Sequence, residues 1–444
     1  MRADLRLAWL LTNGSDRREW WRIGLTVVGA ACVAAFGAMA GAVASVRGYT
    51  HLPIAHGLLD NPGQRSGVVL ALLLLLIPGL GFLGQCARLG AAHRDRRMAR
   101  LRLAGAAPGR VRRIAALESG PACLVGSLLG TAAVAGCALY ADRLPARLWW
   151  MLVAVMLAVP AVGVAVSLAA LRRVVASPLG EVRATPRRTG GGLAVTLGVA
   201  LVVVAVTGGI LMLAYGSAGL APLALFGALL LVGAGSVWLS GGMARLTGRW
   251  WAVRAQSPAV LIAAERLSAD PWAAARTHAA VLMATVVGTG FMGVREGLLR
   301  TLDDGGYSPA ADLDFYTGGI NLAGAAILVG LLIVLVSVAV GAAESVTHRR
   351  QGLAQQVASG VPRTVLNRAV LLETALPLAP AMLVAGGGGL AVGTWYASLT
   401  EHGLTVPYAA LAVPPLIYAA CLLAAATSLP LLRRSTRPAE LRHG

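Results

Sequence analysis

Residues 93–118 read HRDRRMARLRLAGAAPGRVRRIAALE, and residues 348–373 read HRRQGLAQQVASGVPRTVLNRAVLLE. The second stretch lies 255 positions after the first (348 − 93) and aligns with it without a gap. His93/His348, Arg94/Arg349, Ala99/Ala354, Gly105/Gly360, Arg113/Arg368, Leu117/Leu372 and Glu118/Glu373 are identical. Met98/Leu353, Ala104/Ser359, Val111/Leu366 and Ser119/Thr374 are close substitutions. Each copy is polar and basic, and each is held between two long apolar runs. A duplicated basic loop between apolar runs implies a duplicated docking surface on one side of a membrane.

The flanking runs decide the fold class. A helix needs about 20 mostly apolar residues to cross the hydrocarbon layer. Runs of that kind lie near 23–46, 67–88, 115–140, 148–171, 192–214, 218–240, 278–294, 320–343, 369–394 and 408–432. The run at 278–294 is the shortest, so a nine-span count stays open beside the ten-span one. Backbone groups in lipid must be satisfied within their own segment, so the runs are helices. The alternating ten-residue segments of a membrane barrel are missing. The expected fold is an all-α polytopic membrane protein. Its first run exceeds the apolar length of a signal peptide and reads as a retained span.

All 38 basic residues are arginine, and the net charge is +19. In the ten-span layout 32 of them fall on one side: five before the first span, nine between spans two and three, and the rest in later loops of the same side. Arg47, Arg65, Arg143, Arg147, Arg295 and Arg300 fall in the opposite loops. This asymmetry is the positive-inside rule and places both termini in the cytoplasm. The charge is therefore topological, aided by anionic lipid, and does not imply nucleic acid. The five cysteines sit in or beside apolar runs without metal or disulfide spacing and read as small packing residues.

The repeat extends past the basic loops. Leu7, Trp9, Trp20 and Trp21 precede the first span, and Ala263, Arg266 and Trp272 precede the seventh, in amphipathic patterns that suit the inner interface. The chain thus divides into an N-terminal interfacial helix (1–22) and a first four-span repeat (23–171). A linker with two central spans (172–256) and a second interfacial helix (257–277) follow. A second four-span repeat (278–432) and a cytoplasmic tail (433–444) complete it. Six spans separate equivalent points, so the two copies run parallel. Gly37/Gly41, Gly126/Gly130 and Gly389/Gly393 have the spacing of close helix contacts. Pro78, Pro121, Pro160, Pro377 and Pro380 are placed to kink or interrupt spans.

Several chemistries lack their residues. With no lysine there is no P-loop, so ATP hydrolysis of that type is not expected in this chain. No HExxH or GxSxG occurs, and the seven histidines are scattered. All 19 acidic residues fall in loops or at span ends, which disfavours a proton- or sodium-coupled carrier. Glu118 and Glu373 come nearest the membrane. They read either as interface carboxylates bonded to nearby arginines or as a matched pair of hinge or proton sites. In each basic loop a helical stretch breaks at a Gly/Pro corner, Gly105 with Pro108 and Gly360 with Pro362, before a second helix enters the span.

The pattern of an arginine pair, a glycine, an arginine and a glutamate, lying between spans two and three of a four-span unit, resembles the FtsX-like permease domain of ABC transporters. Arg96, Arg97, Gly105, Arg113 and Glu118 carry it first; Arg349, Arg350, Gly360, Arg368 and Glu373 carry it again, with the arginine pair displaced. The two-domain, ten-span layout is similar to the peptide-antibiotic resistance branch of that family. The resemblance implies a permease of the bacterial plasma membrane that binds two copies of a separate ATPase, which would hold ATP and magnesium. Arg96, Arg97, Gly105, Pro108, Arg113, Arg349, Arg350, Gly360, Pro362 and Arg368 would form the coupling segments. The chain departs from the family in its outer loops, of about 20 and 25 residues, which are too short for a folded extracellular domain. A lipid or membrane-embedded peptide is the substrate class that fits. An ion-coupled or facilitative carrier, or a membrane signalling scaffold, are the alternatives.

Overall fold

The computed structural model describes residues 17–48, 59–60, 62–88, 103–140, 146–176, 221–303, 311–397 and 407–431, and every regular element among them is α-helical. The helices are α1 (Arg17–Ser45), α2 (Pro62–Arg88), α3 (Pro108–Tyr140), α4 (Arg147–Ala176), α5 (Ala221–Arg254) and α6 (Pro258–Ala269). They continue as α7 (Pro271–Asp303), α8 (Ala311–His348), α9 (Arg350–Ala358), α10 (Arg363–Ala397), α11 (Tyr408–Leu411) and α12 (Val413–Ala426). Among the described residues nine helical stretches are long and apolar enough to cross a membrane. The fold is that of an all-α polytopic membrane protein. The run expected at 192–214 lies outside the described residues, as do residues 1–16 of the first interfacial helix.

Two expectations change. The short run at 278–294 belongs to the 33-residue α7, whose apolar span extends from His278 to Arg300. Arg295, Glu296 and Arg300 shorten the run in sequence, yet all three lie on the helix, and Arg300 pairs with Glu296 one turn away. The second interfacial helix expected at 257–277 is two elements. Ser257 caps α6 by accepting from the Val260 N–H, with Pro258 in the first turn. The helix ends at Asp270, whose N–H reaches back to the Arg266 carbonyl, and Pro271 begins α7. All five span prolines lie inside continuous helices and interrupt none of them.

The described residues fall into two compact units, one on each side of the boundary at residues 187 and 188. In the first, α1 lies against α3 so closely that side chains are excluded. A Cβ on Gly126 would sit 2.3 Å from the Val27 carbonyl oxygen, and one on Gly130 would sit 2.3 Å from that of Ala31. Ala30, Val33, Ala34, Leu83, Cys123 and Val159 fill the space between α1, α2, α3 and α4. Gly37 and Gly41 meet only side chains, the nearest being Val155 and Met151 of α4 at 3.4 Å, which is ordinary contact. At the far end of α1 the buried Arg65 guanidinium donates to the carbonyls of Val46 (2.9 Å), Gly48, Leu59 (2.5 Å) and Asp60 (2.8 Å). It thereby ties the chain just beyond α1 to the chain that returns at residues 59–60.

In the second unit α7 and α10 make the equivalent close crossing. A Cβ on Gly389 would lie 2.6 Å from the Val286 carbonyl, and one on Gly293 would lie 2.7 Å from the Gly393 Cα. Gly388 faces Val232 of α5, and Gly386 faces Pro414 of α12. The alanine face of α6 (Ala259, Ala263, Ala264) is buried, and Gly248 of α5 lies under it, 3.0 Å from the Ala264 carbonyl by the position of its would-be Cβ. Leucines such as Leu129 and Leu157 in the first unit and Leu328 and Leu332 in the second are more than half exposed, as lipid-facing positions must be. Five exposed tryptophans sit at span ends, Trp20 and Trp21 on α1, Trp149 and Trp150 on α4 and Trp250 on α5, while Trp238, also exposed, lies in the middle of its span. Trp250 packs edge-on to Trp251 and carries the Arg254 guanidinium 4.5 Å from its ring centre.

Candidate functional site at the glycine corners

The basic loop of the second unit is described in full. Helix α9 ends in the two reverse hydrogen bonds of a Schellman cap: Gly360 N–H to Val357 O (3.0 Å) and Val361 N–H to Gln356 O (3.0 Å). That cap requires a left-handed residue, and Gly360 supplies it with φ +95°. Pro362 then serves as the cap of α10, its carbonyl accepting from Val365 and Leu366. The corner is braced from within. Val346, Leu353, Leu366 and Val370 form a buried cluster, with Val357, Val361 and Leu431 packed against it.

In the first unit the description of the loop begins at Leu103. Gly105 takes φ +90°, and α3 starts at Pro108, with Ala107 accepting from Arg110 and Val111. The two prolines hold slightly different posts, since Pro108 is the first helical residue and Pro362 is the cap itself. Beyond the corner the registers agree. Val111 and Leu366 are both fully buried, as are Ile114 and Ala369. Arg113 and Arg368 are both exposed, along with Arg110 and Arg112 in one unit and Arg363 in the other. A Cβ at either corner glycine would meet nothing within 4 Å, so these corners project away from their own units. Arg96 and Arg97 lie outside the described residues.

Glu118 and Glu373 are anchored by arginines, though not by Arg113 and Arg368. Glu118 receives the Arg22 guanidinium of α1 at 3.1 Å, with both side chains nearly enclosed (6% and 12% exposed). Glu373 binds two arginines. Arg266 of α6 donates to its Oε1 at 2.7 Å, and Arg349 reaches its Oε2 at 2.8 Å. The remaining arms of Arg349 donate to the carbonyl and hydroxyl of Ser345, at 3.0 and 2.6 Å. Arg349 is therefore committed within the protein: it fixes the joint between α8 and α9 against α10. One carboxylate thus ties the interfacial helix α6, the α8–α9 joint and the span α10 together. Burying a carboxylate is costly, and two guanidinium partners offset that cost. Arg350, beside it, is half-buried.

The sequence places Arg266 in an interfacial pattern but pairs neither it nor Arg22 with a glutamate, and it does not show the carbonyl clamp of Arg65. Their partners lie 96 and 107 residues away, and no local spacing connects them. Among the described residues no group of three or more His, Cys, Asp or Glu side chains gathers to hold a metal ion. Comparison with family models, with curated proteins and with solved structures finds no match to this chain.

Proposed function

We propose that this chain is the membrane-spanning subunit of an ABC transporter, an FtsX-like permease driven by ATP hydrolysis on separate ATPase subunits. The observation that carries this reading is the paired corner. Two protruding turns have glycines at φ +90° and +95°, the same buried register behind them and exposed arginines beside them. A cytoplasmic partner with an acidic groove that accepts one corner also accepts the other, so each permease takes two ATPase copies, which hold the ATP and magnesium. Arg110, Arg112 and Arg113 at the first corner and Arg363 and Arg368 at the second face that partner. Arg349 and Glu373 carry the displacement inward to the spans.

In this reading the ten spans form two parallel four-helix repeats around a central pair, in the plasma membrane of a bacterium, with both termini cytoplasmic. The work is done on a lipid or a membrane-embedded peptide that enters from the bilayer. An ion-coupled carrier stands second. It needs a carboxylate that exchanges protons or cations, whereas Glu118 and Glu373 are both held by arginines.

The test is co-expression with the candidate ATPase, purification through a tag on the permease, and measurement of ATP hydrolysis in lipid vesicles. Two ATPases are expected per permease, with hydrolysis stimulated by the permease. The double variant G105V/G360V is expected to insert normally and to lose that stimulation. Stimulation that persists in the double variant would sink the corner assignment; failure of any ATPase to co-purify would move the carrier reading ahead.

A further inference from the structure

A cleft of about 420 Å³ opens between α6 and α9 in the second unit. Its apolar wall is Leu261, Ile262 and Leu353, and its polar wall includes Glu265, Arg266 and Gln356. This volume falls in the range of small-molecule sites. Arg349, which also lines the cleft, has all three guanidinium nitrogens engaged by Glu373 and Ser345. Arg266 differs. Only its Nη1 is engaged, on Glu373, and its Nε and Nη2 donors have no partner among the described residues. The exposed Glu265 carboxylate and the Gln356 side-chain amide likewise make no hydrogen bond among the described residues, although their backbone carbonyls do.

The height of the cleft is set by the spans around it. Helix α6 lies between the apolar span that ends at Arg254 and the one that begins at His278, and Arg349 follows the span that ends at Thr347. This is the level of lipid headgroups, and Leu261 at the rim is 44% exposed. The unengaged groups carry both signs: a guanidinium seeking an anion and a carboxylate seeking a cation, with an amide beside them. A lone phosphate would satisfy the arginine and be repelled by Glu265. A zwitterion satisfies both.

We propose that this cleft binds the headgroup of a phospholipid that bears a primary amine, a phosphoethanolamine. Its phosphate accepts from Nε and Nη2 of Arg266. Its ammonium, with three N–H donors, meets the Glu265 carboxylate and the Gln356 amide oxygen, and the acyl chains run along Leu261 and Ile262. A choline headgroup lacks those N–H donors, and a glycerol headgroup lacks the positive charge. The site therefore selects for the amine and not for lipid charge. Only the membrane placement of the spans is needed for this inference, and the ATPase assignment is not.

The experiment is native mass spectrometry of the purified full chain, titrated separately with dioleoyl phosphatidylethanolamine, phosphatidylcholine and phosphatidylglycerol. Phosphatidylethanolamine is expected to bind about tenfold more tightly than either other lipid. Glu265→Gln, which leaves the Arg266–Glu373 pair in place, is expected to bring it down to the phosphatidylcholine level without moving the thermal unfolding midpoint. Gln356→Ala gives a smaller loss in the same direction. Tightest binding of phosphatidylglycerol would show a plain anion site and overturn the proposal. An amine preference that survives Glu265→Gln overturns it too, as does a photoreactive side chain at position 356 that captures protein and not lipid in native membranes. Because no ATPase is present, failure here leaves the coupling reading standing, and failure of that reading leaves the lipid result standing.

Discussion

The two corner helices carry their glutamates at the same register, and among the described residues the arginines that hold them come from different elements. In the first unit Arg22 comes from α1, the helix that packs face to face on α3. In the second, the helix in that position is α7, while the arginines come from α6 and from the joint before α9. The glycine φ at the corner is kept to within a few degrees, and Val111/Leu366 and Ile114/Ala369 are buried in both units. A backbone turn allows few solutions, because only certain residues tolerate a left-handed φ. A guanidinium on a long flexible stem can reach one carboxylate from several helices. Among the described residues the resemblance between the units is therefore closest in the backbone of the corner.

The largest expected effects come from the helix crossings, because there the comparison is between backbones. Gly126→Val forces a Cβ to 2.3 Å from a carbonyl oxygen, and Gly389→Val forces one to 2.6 Å from another. No side-chain rotation relieves either clash, so each substitution is expected to cost about 3 kcal/mol or more. Thermal unfolding in detergent measures it. Gly41→Ala meets only Met151, at 3.4 Å, and is expected to stay within about 0.5 kcal/mol of wild type. If Gly41→Ala proved as damaging as Gly126→Val, the close crossing in the first unit would be misassigned.

The glutamates come next and separate the two units. Glu118→Ala leaves Arg22 in an almost closed site and is expected to cost about 3 kcal/mol, near the lower end for a broken buried pair. Glu373→Ala removes two contacts, but Arg266 and Arg349 are 38% and 20% exposed and regain water. Solvent screening reduces that loss to about 1–2 kcal/mol. The carboxylate whose arginines are the more exposed is thus the one whose loss hurts less. Arg349→Gln should cost less again, because Arg266 still holds Glu373. Denaturant unfolding of the three variants gives the order, and a larger loss for Glu373→Ala than for Glu118→Ala would reverse the comparison.

What could be read from the sequence follows from how local each feature is. The corners were legible because a cap, a left-handed glycine and a following proline lie within five residues, and their geometry depends on little else. The nine described spans were legible from length and apolarity, apart from α7, where a helical ion pair hid the last turns. The glycine contacts were legible only in part. Gly126/Gly130 and Gly389/Gly393 are close crossings, whereas Gly37/Gly41 has the same spacing and packs loosely, and Gly290 and Gly293 were missed because their spacing is three. Spacing puts two residues on one face of a helix but does not say which helix comes to that face. Arg65 counted in sequence as one of a few arginines on the wrong side. Its clamp on four carbonyls depends on the return of the chain at residues 59–60, which no local pattern encodes.

The corners themselves are where stability and function should part. Gly105→Ala and Gly360→Ala each place a Cβ in open space, so the only cost is that of holding an L residue at positive φ, about 1 kcal/mol at each. Asparagine tolerates that conformation better, and Gly105→Asn and Gly360→Asn are expected to recover about half of the loss. Because the two φ values are nearly equal, the four variants should fall into two matched pairs, with no difference between units. Unfolding midpoints measured on one preparation test this directly. A corner that loses nothing with alanine is not held left-handed by its surroundings. Unequal losses would mean that the two corners are not held alike despite their nearly equal φ.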